Sequence, residues 1–363
     1  MEALFEDILE IKNGRNQKAV ENPDGKYPIY GSGGVMGYAD DFICEPDTVI
    51  IGRKGNINNP IFVEEPFWNV DTAFGLQAKR ERLLPKYLYY FCKRYDFEKV
   101  NKTVTIPSLT KSDILKIRID LPELSIQSSV VERLQKIEEL TGLWKKQLSD
   151  LDMLIKARFV EMFGDPLTNP HGWKKRSLKD ICIKLNDGTH FSPESFETGD
   201  YKYVTAKNIK IDGFDFTHIT YVPEEVHRPI YERCNPEKGD VLYIKDGVTT
   251  GIAMVNTLDE EFTLLSSVAL LKQDRKIMNG HFLCGVLNNN EVYTDIRKNM
   301  GGAAISRLTI AKLNDIQVIV PPIDLQNNYA NFVKQVDKSK SVVQKSLDKT
   351  KLLFDSLMQE YFG

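Results

Sequence analysis

One stretch of this 363-residue sequence occurs twice, and that duplication limits the possible folds more than any other feature. Residues 106–164 run IPSLTKSDILKIRIDLPELSIQ, continue as a long helical pattern and close on Glu161-Met162-Phe163-Gly164. Residues 305–363 run ISRLTIAKLNDIQVIVPPIDLQ, continue in the same way and close on Glu360-Tyr361-Phe362-Gly363. A shift of 199 positions lays one copy on the other without a gap, placing Ile106, Leu109, Thr110, Pro122, Gln127 and Phe163 on Ile305, Leu308, Thr309, Pro321, Gln326 and Phe362. An ungapped register with a preserved apolar pattern marks a repeated structural unit.

Within the repeat, Ile114, Ile117, Ile119 and Leu121 read as a half-buried strand that Pro122 ends. Ser125, and Asp324 in the second copy, stand where a helix N-cap is expected. Leu134, Ile137, Trp144, Leu148, Leu151, Ile155 and Phe159 then recur at helical spacing, as do Val333, Val336, Val343, Leu347, Phe354 and Met358. Each pattern predicts a helix roughly 55 Å long at about 1.5 Å per residue. One narrow apolar seam over that length points to a helical partner, the other copy packed antiparallel in the same chain; the alternative is two core helices of a larger globular domain. Gly164 and Pro166 should end the first helix.

The intervening segments are strand-rich. Phe5, Ile8 and Ile11 suit a short opening helix or strand. The glycines at 31, 33, 34 and 37 lack a following Lys-Ser/Thr and predict a tight strand connection, not a phosphate cradle. Thr48–Ile51 reads as a buried strand ending in Gly52-Arg53-Lys54-Gly55-Asn56, which is either a hairpin tip or a contact to phosphate or base edges. Leu88, Phe91 and Tyr95 share a helical face. Residues 165–304 follow the same plan: Asp240-Val241-Leu242-Tyr243-Ile244 parallels Asp47-Thr48-Val49-Ile50-Ile51, and residues 264–271 parallel 69–76. Between these blocks the two segments diverge, so one scaffold carries two sets of loops, where recognition concentrates.

Charge and motifs narrow the chemistry. The net charge is −3, but residues 1–78 hold 6 Lys and Arg against 13 Asp and Glu, and residues 79–118 hold 11 against 4. That basic run is either a solvated helix face or a surface that steers a phosphate backbone. Five cysteines without metal-ligand spacing read as buried thiols in a reducing compartment. No leader or membrane-length apolar run is visible, so a cytoplasmic location is expected. The five histidines lack ligand spacing and read as loop or surface residues. Asn59-Pro60-Ile61-Phe62 lacks the second proline of an amino-methyltransferase motif, and no acidic-x-Lys follows Pro46-Asp47 as a nuclease would need. The chain reads as a binder without catalytic residues or a metal site.

Two variable segments alternating with two strand-plus-helix repeats, joined by Met162-Phe163-Gly164-Asp165-Pro166-x-x-Asn169-Pro170-x-Gly172-Trp173, resemble the specificity subunit of a type I restriction-modification system over essentially the whole chain. The resemblance implies an α+β fold: two mixed, strand-rich target recognition domains separated by two long antiparallel helices forming an intramolecular coiled coil. The expected parts are recognition domain 1 (residues 1–120), the first spacer helix (121–164), recognition domain 2 (165–319, with a junction at 165–173) and the second spacer helix (320–363). It implies a bipartite target in double-stranded DNA, with one half-site per domain. It also implies two docked modification (methyltransferase) subunits and associated restriction/translocase subunits. S-adenosylmethionine, ATP and Mg would be held by those partners, with no cofactor in this chain. The first recognition domain departs from the pattern in lacking a leading segment like Trp173-Lys174-Lys175.

Family recognition loops diverge, so the DNA-contacting residues are read from this chain alone: Ser32, Arg53, Lys54 and Asn56 in the first domain, and Lys207, Asn208, Lys245, Thr249 and Thr250 in the second. Arg53 and Lys54 suit guanine, and Asn56 and Asn208 suit adenine. Two other functions fit the pattern. One is the recognition subunit of a fused restriction-methylation enzyme. The other is a coiled-coil scaffold that binds no DNA.

Overall fold

The structure, a computed structural model, describes residues 2–103, 106–298 and 307–363. Ile305, the repeat partner of Ile106, lies outside the described residues. The chain opens with β1 (Glu2–Leu4), α1 (Phe5–Ile8) and β2 (Leu9–Asn13), so the ambiguous opening is a helix followed by a strand. Then come β3 (Tyr27–Gly31), β4 (Gly34–Ala39), β5 (Thr48–Gly52), β6 (Ile61–Val63), β7 (Trp68–Asn69) and β8 (Ala73–Ala78). After these lie α2 (Pro85–Arg94), α3 (Lys111–Ile114), β9 (Arg118–Asp120) and the 40-residue α4 (Leu124–Phe163).

The second half restarts with β10 (Lys175–Ser177), α5 (Leu178–Ile181), β11 (Cys182–Asp187) and β12 (Tyr201–Val204). The hairpin β13 (Ile209–Lys210) and β14 (Gly213–Phe214) and the helix α6 (Glu224–Arg233) are additions of this half, with β15 (Thr220–Val222) between them. It continues through β16 (Val241–Ile244), β17 (Ala253–Val255), β18 (Thr263–Leu264), β19 (Val268–Gln273), α7 (Gly280–Leu287) and α8 (Asn290–Lys298). It ends with α9 (Ile310–Asp315), β20 (Gln317–Ile319) and the 40-residue α10 (Ile323–Phe362).

Two compact units result, Met1–Lys146 with Gln344–Gly363 and Gln147–Val343. The first holds a four-stranded sheet, β2-β8-β5-β6, and a three-stranded sheet, β4-β3-β7; the second repeats them as β11-β19-β16-β17 and β15-β12-β18. The central strands β5, β16 and β19 are buried along their whole length, which is why their apolar residues run together instead of alternating. Each unit also pairs its opening strand with the strand before a long helix: β1 with β9, and β10 with β20. Glu2–Leu4 thus does in the first unit what Lys175–Ser177 does in the second, although it lacks the Trp-Lys-Lys sequence.

A buried glutamine fixes the start of each long helix. Gln127 is fully buried; its Oε1 accepts from the Leu84 N–H at the mouth of α2 (2.9 Å), and its Nε2 donates to the carbonyls of Arg82 (2.9 Å) and Pro122 (2.8 Å). Gln326 repeats this with the Asn279 N–H (2.9 Å) and the carbonyls of Ile277 (3.0 Å) and Pro321 (2.8 Å). Within each unit the two long helices pack together. In the first unit Leu134, Met358 and Phe354 pack into one core, and Arg133 donates to the Tyr361 hydroxyl (3.1 Å). In the second, Phe159 lies 5.4 Å from Tyr329 between ring centroids, beside Val333, and Lys340 pairs with Asp152 at 2.6 Å. In both units the early part of one helix meets the late part of the other, as antiparallel packing requires. Val336, Val343 and Leu347 are buried, and Ile137 is as well; Trp144, Leu148, Leu151 and Ile155 are half-buried. Gly164, at φ 73°, ends α4 with its N–H on the Val160 carbonyl (2.8 Å).

Several expectations need correction. Ile114 is not in a strand: the Thr110 side chain caps the short α3, and only Arg118–Asp120 is extended. Ser125 and Asp324 are not caps, because the helices already begin at Leu124 and Ile323. His227 is not a surface residue; it is fully buried, stacks on Tyr201 at 3.8 Å and bonds the Thr263 hydroxyl at 2.8 Å. The cysteines are free, and burial pushes the thiols of Cys44, Cys182 and Cys234 up to about 12.

Replacing Gln127 by Ala strands one N–H and two carbonyls in the interior. Gln127→Ala should therefore cost about 3 kcal/mol, read as a lowered urea midpoint, while Ser129→Ala on the exposed face of the same turn should leave the midpoint in place.

Candidate nucleic-acid interface

In the first unit the predicted residues come together at one end of the β5 sheet. Past Gly52 the chain is sewn to two neighbours: Arg53 N–H donates to the Thr72 carbonyl (2.8 Å), the Arg53 carbonyl accepts from Leu109 N–H (2.9 Å), and Gly55 N–H donates to Pro107 (2.9 Å). Any side chain at Gly52 would reach 2.0 Å from the Asn56 carbonyl and 3.1 Å from Ser32 Cβ, so the β3–β4 turn lies directly against this loop. The backbone is therefore held while Arg53, Lys54 and Asn56 remain exposed and Ser32 half-exposed. The Arg53 guanidinium sits 5.6 Å above the Phe74 ring. Arg15, which the sequence did not single out, belongs to the same end: its N–H bonds the Asn69 carbonyl (3.0 Å), and its side chain is exposed.

The second unit builds the same corner differently. β5 pairs Gly52 with Ala73, and β16 pairs Ile244 with Val268, so Lys245 is the structural counterpart of Arg53. The register differs by one residue from the match suggested by Asp47 and Asp240. The backbone bonds agree, since Lys245 N–H donates to Ser267 and its carbonyl accepts from Leu308 N–H, both at 2.9 Å. The side chain behaves in the opposite way. Lys245 is 1% exposed, its Nζ 3.3 Å from Asp187 and 3.2 Å from Asp246. The ladder places Asp187 opposite Ala269 just as Asn13 lies opposite Phe74. An aspartate therefore stands where the first unit has an asparagine, and its buried negative charge holds the lysine inside.

Three predicted contacts of the second unit are consequently structural. Lys245 is pinned between the two aspartates. Asn208 is buried in a capping box, accepting from Thr205 N–H (3.0 Å) and donating to the Asp215 carbonyl (3.1 Å). Thr250 is buried, with its hydroxyl on the Gly247 carbonyl (2.6 Å). Lys207 and Thr249 are exposed. Beside them stand His190 and Arg233, both on Asp187 (3.1 and 3.5 Å), and Arg307 on Asp246 (3.3 Å), each exposed. No sequence spacing could have grouped positions 187, 190, 233, 246 and 307; only the sheet does so.

The basic run at 79–118 is not a single face. Arg80 pairs with Asp47, Lys86 with Glu64 and Arg118 with Glu2, each at 2.8 Å, so acids of the first 78 residues neutralise it locally. Among the described residues no group of three or more His, Cys, Asp or Glu could hold a metal ion, and no helix is long and apolar enough to cross a membrane. Lys245→Ala would leave Asp187 buried without the lysine enclosed beside it and should cost about 3 kcal/mol, seen as early urea unfolding of the second unit; Lys207→Ala, on the surface, should unfold like the wild type.

The sequence matches the type I restriction modification DNA specificity domain over residues 4–152 and 170–350. A putative type I restriction enzyme specificity subunit of Haemophilus influenzae is 20% identical across 92% of this chain and 86% of its own length. A putative type I specificity subunit of Mycoplasma pneumoniae is 21% identical across 90% and 86%. Among solved structures, the S subunit of a type I restriction-modification system from M. genitalium superposes with a TM-score of 0.66 at 17% identity, covering 100% of this chain and 96% of that one. With both halves of the chain matched, the protein belongs to the type I restriction-modification DNA specificity family.

Proposed function

We propose that this chain is the specificity subunit of a type I restriction-modification complex and reads a split sequence in double-stranded DNA, one half-site per unit. The observation that carries this is a shared scaffold with two different corners: at the same end of the same sheet, one unit offers Ser32, Arg53, Lys54 and Asn56, and the other offers Lys207, Thr249, His190, Arg233 and Arg307. Fixed backbones carrying exposed donors suit base edges and phosphates. Recognition domains at 1–120 and 165–319, joined by helices at 121–164 and 320–363, would set a fixed gap between half-sites. The net charge of −3 means that partner subunits supply part of the phosphate contact.

Docking of two modification subunits on the long helices is supported by large apolar side chains that the seam does not use. Leu143, Met153, Leu154, Val342, Leu352 and Leu353 are all more than 45% exposed. In this reading the modification subunits bind S-adenosylmethionine and methylate adenine, a restriction/translocase subunit uses ATP and Mg, and this chain contributes no reacting group. A fused restriction-methylation partner would need the same chain; separate or fused genes beside it distinguish the two.

The test is the N6-methyladenine map of the host genome with and without the gene. One split motif that loses methylation only in the deletion is the expected result; an unchanged map with the partner genes expressed would sink the reading. Arg53→Ala should relax one half-site by about 1–3 kcal/mol of discrimination and leave the other half intact, as read from the methylated motif in a complemented strain.

A further inference from the structure

We infer that Val248 reads a thymine in the half-site of the second unit, through contact with the C5 methyl group in the major groove. This rests on the specificity-subunit reading and adds a base-reading residue to it. Val248 is 92% exposed, the highest value among the exposed large apolar side chains of the described residues. Isolated surface aliphatics are ordinary; what sets this one apart is how firmly it is held. Arg297 Nη1 donates to the carbonyls of Val248 (3.2 Å) and Thr250 (2.8 Å), and its guanidinium lies 5.4 Å above the Tyr293 ring. Gly247 and Gly251 take φ values of 103° and 109°, and a side chain at Gly251 would run into the Tyr293 ring at 2.5 Å. Below the loop, Lys245 is fixed between Asp187 and Asp246.

The backbone on both sides of Val248 is thus immobilised, and a β-branched side chain has little χ1 freedom left to lose. The surroundings select the partner. Lys245 N–H and Ala206 N–H both bond Ser267, which brings the exposed Lys207 to the same end as the loop. His190 and Arg233 join through Asp187, and Arg307 through Asp246. An exposed valine in a corner that also carries Lys207, Arg233 and Arg307 suits a polyanion better than an apolar protein surface. It fits an anionic polymer with small apolar projections, and the thymine methyl is the one such projection in the DNA major groove. The corresponding loop of the first unit, Arg53-Lys54-Gly55-Asn56, offers no aliphatic side chain.

The experiment uses the full chain in complex with its modification subunits. Duplexes carrying the methylated motif are titrated with each thymine of either strand replaced singly by deoxyuridine. One position should bind about four-fold more weakly as uracil, the value of one apolar carbon. Val248→Ser, which leaves the fold untouched at so exposed a site, should bind thymine and uracil equally there while keeping its discrimination at every other position. Uracil sensitivity that persists in Val248→Ser overturns the inference, as does a target with no uracil-sensitive thymine or no thymine at all. Sequence-specific retention that ignores the methyl removes this inference alone, whereas loss of all sequence preference removes the specificity reading with it.

Discussion

Each half of the molecule hangs on one primary amide. Gln127 and Gln326 are uncharged and fully enclosed, and each bonds three backbone groups: a carbonyl in the turn before a long helix, the carbonyl two residues before the N-cap of the packed helix and that N-cap's own N–H. A carboxamide is the smallest side chain that donates and accepts in one plane, and both functions are used. Without it, the first turn of a 40-residue helix would have no fixed bearing on the sheets. The seam can hold two helices together, but its packing is apolar and does not set direction as hydrogen bonds do. The aromatic ends finish the alignment: Phe163 packs 4.7 Å from Phe282 in the second unit, and Phe362 lies 5.0 Å from Tyr87 in the first.

On this common frame a single position changes the character of the corner beside the central sheet. With Asn13 in the first unit, Arg53 has no buried anion to enter and stays outside over Phe74. With Asp187 in the second, Lys245 is drawn in, and the exposed surface passes to Val248, Thr249 and the arginines that complete the ion cluster. The corner therefore differs between units through an interior electrostatic choice as much as through the loop residues themselves.

What could be read from the sequence was what has a period. The repeat, the strand-rich intervals, the long helices and their seam followed from apolar spacing, and the loop at Arg53 followed from its bracketing glycines. What could not be read depended on ladders. The shared aspartates at 47 and 240 suggested a match one residue out of register, because the pairing that fixes it lies in β8 and β19. Asn208, Lys245 and Thr250 have the composition of DNA contacts, yet each serves the interior. Conversely, Arg15, His190, Arg233 and Arg307 carry no local signal and become neighbours of the loop only when the sheets close.

The two small ladders, β1 with β9 and β10 with β20, have a consequence for inheritance. In each unit the chain enters and leaves through adjacent antiparallel strands, with Glu2 facing Asp120 and Lys175 facing Ile319. A module whose entrance and exit are stapled side by side presents the same two attachment points whatever lies between them. Exchange of the intervening segment by recombination would keep the long helices, provided that the incoming segment supplies the helix N-cap N–H and the nearby carbonyl that each glutamine bonds. New sequence preferences can then arise by cassette, without the slow accumulation of compatible point substitutions that a continuously packed reader would need.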